Sequence, residues 1–151
     1  MQEVNKYFED YNVGDSFTTA GRTITETDIV MHAMHSGDFM PHHTDAQWCA
    51  TQPFKKPFAH GNMTFSISTG LCIQAEGINP HGMSYGYNKI RYPNLVFPGD
   101  TIRVKVTVKS KEDHPKHADH GLITEAKETL NQKDEVVCYA EHVVYIEKKN
   151  P

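Results

Sequence analysis

The sequence lacks the features that would place it in a membrane, on a nucleic acid or in a disulfide-stabilised class. No apolar stretch approaches the roughly 20 residues that cross a bilayer. The first residues carry acidic side chains where a signal peptide needs a basic end and an apolar run. Basic runs are missing too, and the formal net charge is −4, so nucleic acid is not an expected partner.

Cysteine is scarce as well, and the spacing of the three residues excludes two further classes. Cys49, Cys72 and Cys138 are odd in number and form no C-x-x-C pair. This pattern argues against a disulfide framework and against a thiolate zinc site. We therefore expect a soluble cytoplasmic protein with no metal. Its 151 residues, without internal repeats or low-complexity segments, predict a single domain over residues 1–151.

The first half of the chain carries helical signals. Thr25-x-x-Asp28 resembles a capping box, which predicts a helix over residues 26–35, and Gly37 suits the left-handed position that follows a helix. A second short helix is predicted over residues 46–51. After Gly61 an almost entirely apolar segment runs to Gly77, which is typical of a buried helix.

The second half changes to the alternating pattern of β-strands. Strands are predicted over residues 84–92, 101–111, 121–130 and 135–147. In the second of them Ile102, Val104, Val106 and Val108 fall on one face. Long antiparallel strands after one buried helix predict an α+β domain, in which a curved antiparallel sheet wraps around a central helix.

The residue types that carry chemistry are concentrated between Ser36 and Gly61. Asp38 and His43 lie five positions apart around Pro41, and a carboxylate with an imidazole in one short loop can serve as a general acid–base pair. A His60-Gly61 step follows at the predicted start of the buried helix. The unpaired N–H groups of that helix terminus could stabilise a developing oxyanion.

Three blocks in this order resemble the MaoC-like hot-dog-fold dehydratases, also called (R)-specific enoyl-CoA hydratases. The family signature G-D-x-N-P-(L/I)-H-x-D corresponds to GDFMPHHTD at residues 37–45. The later H-G step is matched by PFAHG at residues 57–61, and a third block by RYPNLVFPGDT at residues 91–101. The resemblance, which spans about residues 7–101, implies a hot-dog fold.

The resemblance also implies an activity and the residues that perform it. Asp38 and His43 would hold one water molecule and add it across the double bond of a trans-2-enoyl thioester, or catalyse the reverse. The resemblance does not decide which is the acid and which the base. The backbone N–H of Gly61 would bind the thioester oxygen. No cofactor is implied beyond coenzyme A as part of the acyl-CoA substrate, and the expected assembly is a homodimer or a larger oligomer built from dimers.

Further residues are expected to contact the substrate or to support the catalytic pair. Candidates for substrate binding are Met40, His42, His60, Thr69 and Arg91. Met40 stands where the family usually has Asn, and His42 where it has an aliphatic residue. Arg91 is a candidate for the phosphates of coenzyme A, as are Lys55, Lys56 and Lys89. Among hydroxyls early in the central helix, Ser66, Ser68 and Thr69 are candidates to support the acid.

Three other interpretations remain open at this point. A hot-dog thioesterase would share the fold and the ligand but hydrolyse the thioester. A non-catalytic acyl-CoA or fatty-acid binder would follow if the changes at Met40 and His42 disable the site. Asp38, His42, His43 and His60 could instead bind zinc or iron. The histidines at 114, 117 and 120 lie in a polar segment between two strands and are assigned no function.

Overall fold

The computed structural model describes residues 2–150; Met1 and Pro151, the two ends of the predicted domain, lie outside the described residues. A short 3₁₀ helix, Phe8–Asp10, precedes the sheet. The helices α1 to α4 span Glu26–Ser36, Pro41–Thr44, Ala46–Thr51 and Gly61–Glu76. The strands β1 to β6 span Ser16–Thr18, Arg22–Thr23, Gly82–Arg91, Thr101–Asp113, His120–Leu130 and Val136–Glu147.

The strands form one antiparallel sheet in the order β1-β4-β5-β6-β3, with β2 also paired to β4. Register is continuous across the centre, where Lys127 pairs with Val106 on one side and with Ala140 on the other. Strand β3 lies at one edge, and its pairing with β6 is interrupted by two register shifts. The predicted α+β class and the four long strands are confirmed.

The long helix α4 packs against one face of this sheet. Its residues Met63, Leu71 and Cys72 belong to the same buried cluster as Ile102 and Val104 of β4. All four aliphatic residues predicted on one face of β4 are buried. Burying one such side chain contributes about 1.5–3 kcal/mol, so this cluster fixes α4, and with it Gly61, relative to the sheet.

Helix α1 begins and ends as its sequence predicts. The Thr25 Oγ1 accepts a hydrogen bond from the Asp28 N–H at 3.2 Å, and the Thr25 N–H donates to the Asp28 carboxylate at 2.8 Å. Gly37 has φ 76°, a left-handed conformation that residues with a Cβ rarely adopt. The chain therefore leaves the helix sharply, directly before Asp38.

Helix α2 is a feature that the sequence patterns did not predict. Pro41 occupies its first position, where the missing N–H costs nothing and the fixed φ suits a helix. Asp45 ends α2 and also caps α3, where its carboxylate accepts from the Trp48 N–H at 2.8 Å. No helix within residues 2–150 is long and apolar enough to span a bilayer.

Candidate functional site

The loop between α1 and α2 presents Asp38 to solvent and turns His43 inward. Gly37 ends α1, Asp38 is exposed, and Pro41 starts the single turn that carries His43. The His43 N–H donates to the Met40 carbonyl at 2.9 Å, which closes that turn. His43 is 7% exposed, so its ring is almost entirely surrounded by protein.

The hydrogen bond of the His43 ring defines its tautomer. Its Nδ1 lies 2.7 Å from the carbonyl oxygen of Phe58, and because a carbonyl only accepts, Nδ1 carries the hydrogen. In the neutral ring Nε2 is then left with a free lone pair. Burial lowers the pKa of His43 more than the Phe58 hydrogen bond raises it, and the neighbouring His60 and His42 lower it further. The site therefore favours a neutral imidazole that can accept a proton.

The Asp38 carboxylate lies close to this imidazole. One carboxylate oxygen of Asp38 and one ring nitrogen each of His43 and His60 lie within 4.8 Å of one another. A water molecule that forms two hydrogen bonds of about 2.8 Å can bridge such a gap. The Met40 N–H donates to the Asp38 carboxylate at 3.2 Å and orients it. The loop thus brings together the two groups that the sequence paired.

The same cluster is poorly arranged for a metal ion. The rings of His43 and His60 are stacked, with centroids 3.7 Å apart and 26° between their planes. Imidazole lone pairs lie in the ring plane, and a metal sits about 2.0–2.1 Å from each ligand nitrogen. Two nearly parallel rings at this separation cannot both direct a lone pair at one ion. The geometry does not favour the zinc or iron alternative.

Gly61 is the first residue of α4, so its N–H has no acceptor within the helix. A Cβ at this position would lie 2.7 Å from ring atoms of Tyr92, a distance that real Cβ atoms do not show. The Tyr92 hydroxyl donates to the Asn62 side-chain oxygen at 2.9 Å, which fixes the ring there. Glycine is required at position 61 by a protein contact, in addition to any clearance for a ligand.

A cavity of about 220 Å³ opens beside Gly61 and the His43 ring. Its lining consists of His42, His43, Phe58, Ala59, Gly61, Thr64, Tyr92, Asn94, Leu95, Val96 and Val137. It therefore joins the His43 ring, the free N–H at the start of α4 and an aromatic wall. Asp38 lies outside this lining, on the exposed side of the loop.

The predicted substrate-binding residues occupy different surroundings. His42 lines the cavity and stacks on Phe58 with ring centroids 5.1 Å apart. Met40 is 53% exposed beside Asp38, and His60 is buried behind the His43 ring. The contact of each with substrate stays a prediction.

Two other candidates lie away from the cavity. The Thr69 hydroxyl donates to the Ser66 carbonyl at 2.7 Å, and Arg91 is exposed with its guanidinium bonded to the Ile90 carbonyl at 2.8 Å. Of the candidate lysines for coenzyme A, Lys89 pairs with Glu141 at 3.1 Å. Neither Thr69 nor Arg91 is brought to His43 within this chain, and their roles also stay predictions.

Two residues at the site were missed by the sequence analysis. Thr64 lines the cavity one turn after Gly61, and its hydroxyl donates to the His60 carbonyl at 3.2 Å. The three-residue spacing between Gly61 and Thr64 could have predicted this position, because residues three apart lie on one helix face. Tyr92, to which the sequence assigned no role at the site, forms the wall over Gly61.

Comparison with known sequences identifies relatives of this chain. It matches the family model described as MaoC like domain over residues 10–130. The protein MaoC of Klebsiella aerogenes is 41% identical over 115 residues, which are 76% of this chain and 34% of that protein. The (R)-specific enoyl-CoA hydratase of Rhodospirillum rubrum is 35% identical over 103 residues, 68% of this chain and 69% of that enzyme. This chain therefore spans 34% of the length of the Klebsiella protein.

Solved structures show the same architecture. The monoamine oxidase regulatory protein from Archaeoglobus fulgidus superposes with a TM-score of 0.90 at 32% identity, covering 98% of this chain and 97% of that one. A MaoC-like dehydratase from Rhodospirillum rubrum gives 0.82 at 27% identity, covering 97% and 100%. A Mycobacterium tuberculosis protein described as a double hot-dog fold gives 0.77 at 20% identity, covering 97% and 45%. The hot-dog fold predicted from the sequence is confirmed.

Proposed function

This chain belongs to the MaoC-like domain family, and on that premise we propose that it adds water to a trans-2-enoyl-CoA thioester to give the 3-hydroxyacyl-CoA, and catalyses the reverse dehydration. The observation that carries the proposal is the approach of the Asp38 carboxylate to a ring nitrogen of the neutral His43, in a loop beside the start of α4. The names of relatives such as the Rhodospirillum rubrum (R)-specific enoyl-CoA hydratase support the same reaction.

In the hydration direction one water molecule lies between Asp38 and His43. The carboxylate accepts a hydrogen bond from the water and orients it, and the free Nε2 of His43 accepts a proton as the water oxygen bonds to the β-carbon. The electrons of the double bond move onto the α-carbon and the thioester carbonyl. The pair then returns the proton to the α-carbon, so both groups regain their starting forms.

The negative charge that develops on the thioester oxygen needs a donor. The free N–H of Gly61, at the positive end of the α4 dipole, fits this role because Gly61 and His43 line the same cavity. Losing one such donor raises a barrier by about 3 kcal/mol. The Tyr92 ring limits the space over Gly61 and restricts how the thioester can approach.

We further propose that the protein acts as a homodimer formed along β3. This strand is at the sheet edge, and within residues 2–150 its second side pairs with no other strand. Met83 and Tyr85 on it are 71% and 62% exposed, a degree of apolar exposure that a partner strand would reduce. Sedimentation equilibrium tests this assembly, and a monomer at micromolar concentration contradicts it.

The reaction is tested with crotonyl-CoA by following the enoyl absorbance and free thiol together. The wild type is expected to lower the absorbance without releasing thiol. Asp38→Asn and His43→Ala should each reduce that rate by at least about 100-fold, the usual contribution of a general acid–base group. Glu112→Gln and His35→Ala are matched controls, because both residues are exposed and lie outside the site.

Each alternative outcome has a distinct meaning. Release of thiol at the same rate as the absorbance falls supports a thioesterase instead. Full activity in Asp38→Asn contradicts the role of the carboxylate. If enoyl-CoA esters of short, long, branched and carboxylated acyl groups bind tightly and none turns over, the protein is an acyl-CoA binder and the proposal is wrong.

A further inference from the structure

His60 contacts both members of the catalytic pair at once. Its Nε2 lies 2.9 Å from the backbone carbonyl oxygen of Asp38, and its ring is stacked on that of His43 at 3.7 Å. It is only 2% exposed, so these contacts are with protein and are shielded from water. No other described residue forms a hydrogen bond to Asp38 and a ring stack with His43.

The hydrogen bond also defines the tautomer of His60. The Asp38 carbonyl only accepts, so the hydrogen is on Nε2 and the lone pair is on Nδ1. Nδ1 is buried and has no hydrogen-bond partner among residues 2–150.

Other imidazole rings lie close to His60. His32 approaches from α1 with its ring centroid 4.7 Å away, and His43 and His42 approach from α2. Asp38, from the intervening loop, supplies the negative charge that His43 and His32 sense. The stacked His60 ring keeps water from one face of the His43 ring, and this desolvation disfavours protonation of His43.

We propose that His60 is a positioning residue, which fixes the Asp38 backbone by its Nε2–H and covers one face of His43 so that this ring stays neutral. This role differs from the direct substrate contact expected from the sequence, which stays a prediction. Its effect on turnover rests on the hydratase activity proposed above, whereas its effect on the charge of His43 does not depend on any substrate.

Two substitutions separate the two contacts. His60→Gln keeps an N–H in reach of the Asp38 carbonyl but removes the aromatic cover. His60→Phe keeps the ring stack but removes the donor. We therefore expect His60→Gln to raise the pKa of His43 toward its ordinary value, and His60→Phe to leave that pKa lowered while reducing kcat by about 10-fold, the loss from a displaced catalytic loop.

The experiment measures the titration of the His43 ring proton by NMR together with the pH profile of crotonyl-CoA hydration. His35→Gln serves as the control, since His35 is exposed on α1, and thermal unfolding checks that each variant is folded. We expect the acid limb of the hydration pH profile to shift upward by at least about half a pH unit in His60→Gln only. The same change in both variants, or none in either, overturns the proposal.

The two proposals fail in different ways. If the wild type does not hydrate enoyl-CoA, the proposed function is wrong, but the NMR titration still tests whether His60 controls the charge of His43. If hydration occurs and the His43 titration is identical in the wild type and both folded variants, only the role of His60 is wrong.

Discussion

The ring of Tyr92 occupies the space where residue 61 would carry a side chain. A Cβ at Gly61 would be 2.7 Å from two Tyr92 ring atoms, and the Tyr92 hydroxyl is bonded to Asn62 in the next position of the helix. The segment after β3 is thereby packed against the first turn of α4. The proposed oxyanion donor and the wall of the cavity are consequently one packed unit.

Gly61→Ala should reduce both stability and hydration. An added methyl group must displace the Tyr92 ring, and such overpacking costs about 1–3 kcal/mol. The shift also moves the N–H that is proposed to bind the thioester oxygen, so kcat/KM should fall by about 100-fold. Urea unfolding and crotonyl-CoA hydration measure the two effects.

Adding Tyr92→Ala to Gly61→Ala tests whether contact between the new methyl group and the Tyr92 ring causes the loss of stability. Removing the ring opens the space, so Gly61→Ala/Tyr92→Ala should recover part of the stability lost in Gly61→Ala. A strictly additive loss would show that the methyl group and the ring do not meet.

Ser68→Ala should destabilise the protein through the partner that it leaves behind. The buried Thr129 hydroxyl donates to Ser68 Oγ at 2.8 Å, and Ser68 Oγ donates to the Thr64 carbonyl at 2.7 Å. Without the Ser68 acceptor the buried Thr129 hydroxyl is left unsatisfied, which should lower the free energy of unfolding by about 1–3 kcal/mol. Ser68→Ala/Thr129→Val removes both partners and should unfold at a higher urea concentration than Ser68→Ala alone.

Glu76→Gln should stabilise the protein more at high pH than at low pH. Burial, followed by the nearby Glu125 carboxylate, raises the pKa of Glu76 from its ordinary 4.5 to about 7. A carboxyl whose pKa is higher in the folded than in the unfolded protein lowers the stability of the fold as pH rises from the unfolded-state pKa through the folded-state pKa. The gain measured by urea unfolding should therefore grow from under about 1 kcal/mol at pH 5 to about 2 kcal/mol at pH 8. An equal gain at both pH values would contradict this explanation.

Glu141→Gln should show the opposite dependence on pH. Hydrogen bonds from Lys109 and then Lys89 lower the pKa of Glu141 to about 2. Its stabilisation is present above pH 4.5 and is lost as pH falls toward 2. Because Lys109 and Lys89 are 46% and 61% exposed, the loss at pH 7 should be only about 1 kcal/mol. The difference in the free energy of unfolding between Glu141→Gln and the wild type should be smaller at pH 3 than at pH 7.

The cysteines should be inert in the folded protein. Cys49, Cys72 and Cys138 are all buried, and burial raises the pKa of Cys72 and of Cys138 to about 11. At pH 8 a thiol reagent should react with none of them in buffer and with all three in concentrated urea. Rapid reaction of the native protein would reveal local opening of α3, α4 or β6.

Local signals were sufficient for most of the secondary structure. The Thr25–Asp28 box and Gly37 define α1 through contacts within a few residues, so the sequence alone located its ends.

The burial pattern of strand β5 was harder to predict from the sequence. Glu125, Lys127 and Thr129 are buried on the same face as the aliphatic residues of β4, although alternation alone would turn charged residues outward. Glu125 and Lys127 pair with each other at 3.1 Å, and the Thr129 hydroxyl donates to Ser68 Oγ. No sequence period reveals these contacts.

The sequence indicated which residues lie at the site better than it indicated their arrangement. The order Asp38, His43, Gly61 was readable, but the tautomer of His43 depends on a carbonyl 15 residues away. The position of Tyr92 depends on packing of the segment after β3 against the start of α4, which lies about 30 residues earlier in the chain. Contacts of this kind arise from tertiary structure, and short-range patterns do not contain them.

Both hydrogen bonds that orient the imidazoles end on main-chain oxygens, those of Phe58 and Asp38. Every residue type carries such an oxygen, so substitution at either acceptor position leaves the acceptor in place. The orientation of the two rings is therefore buffered against point mutation in the loop, while the exposed side chains of Phe39 and Met40 remain free to diverge. Changes at these two exposed positions therefore leave the arrangement of the two imidazole rings in place.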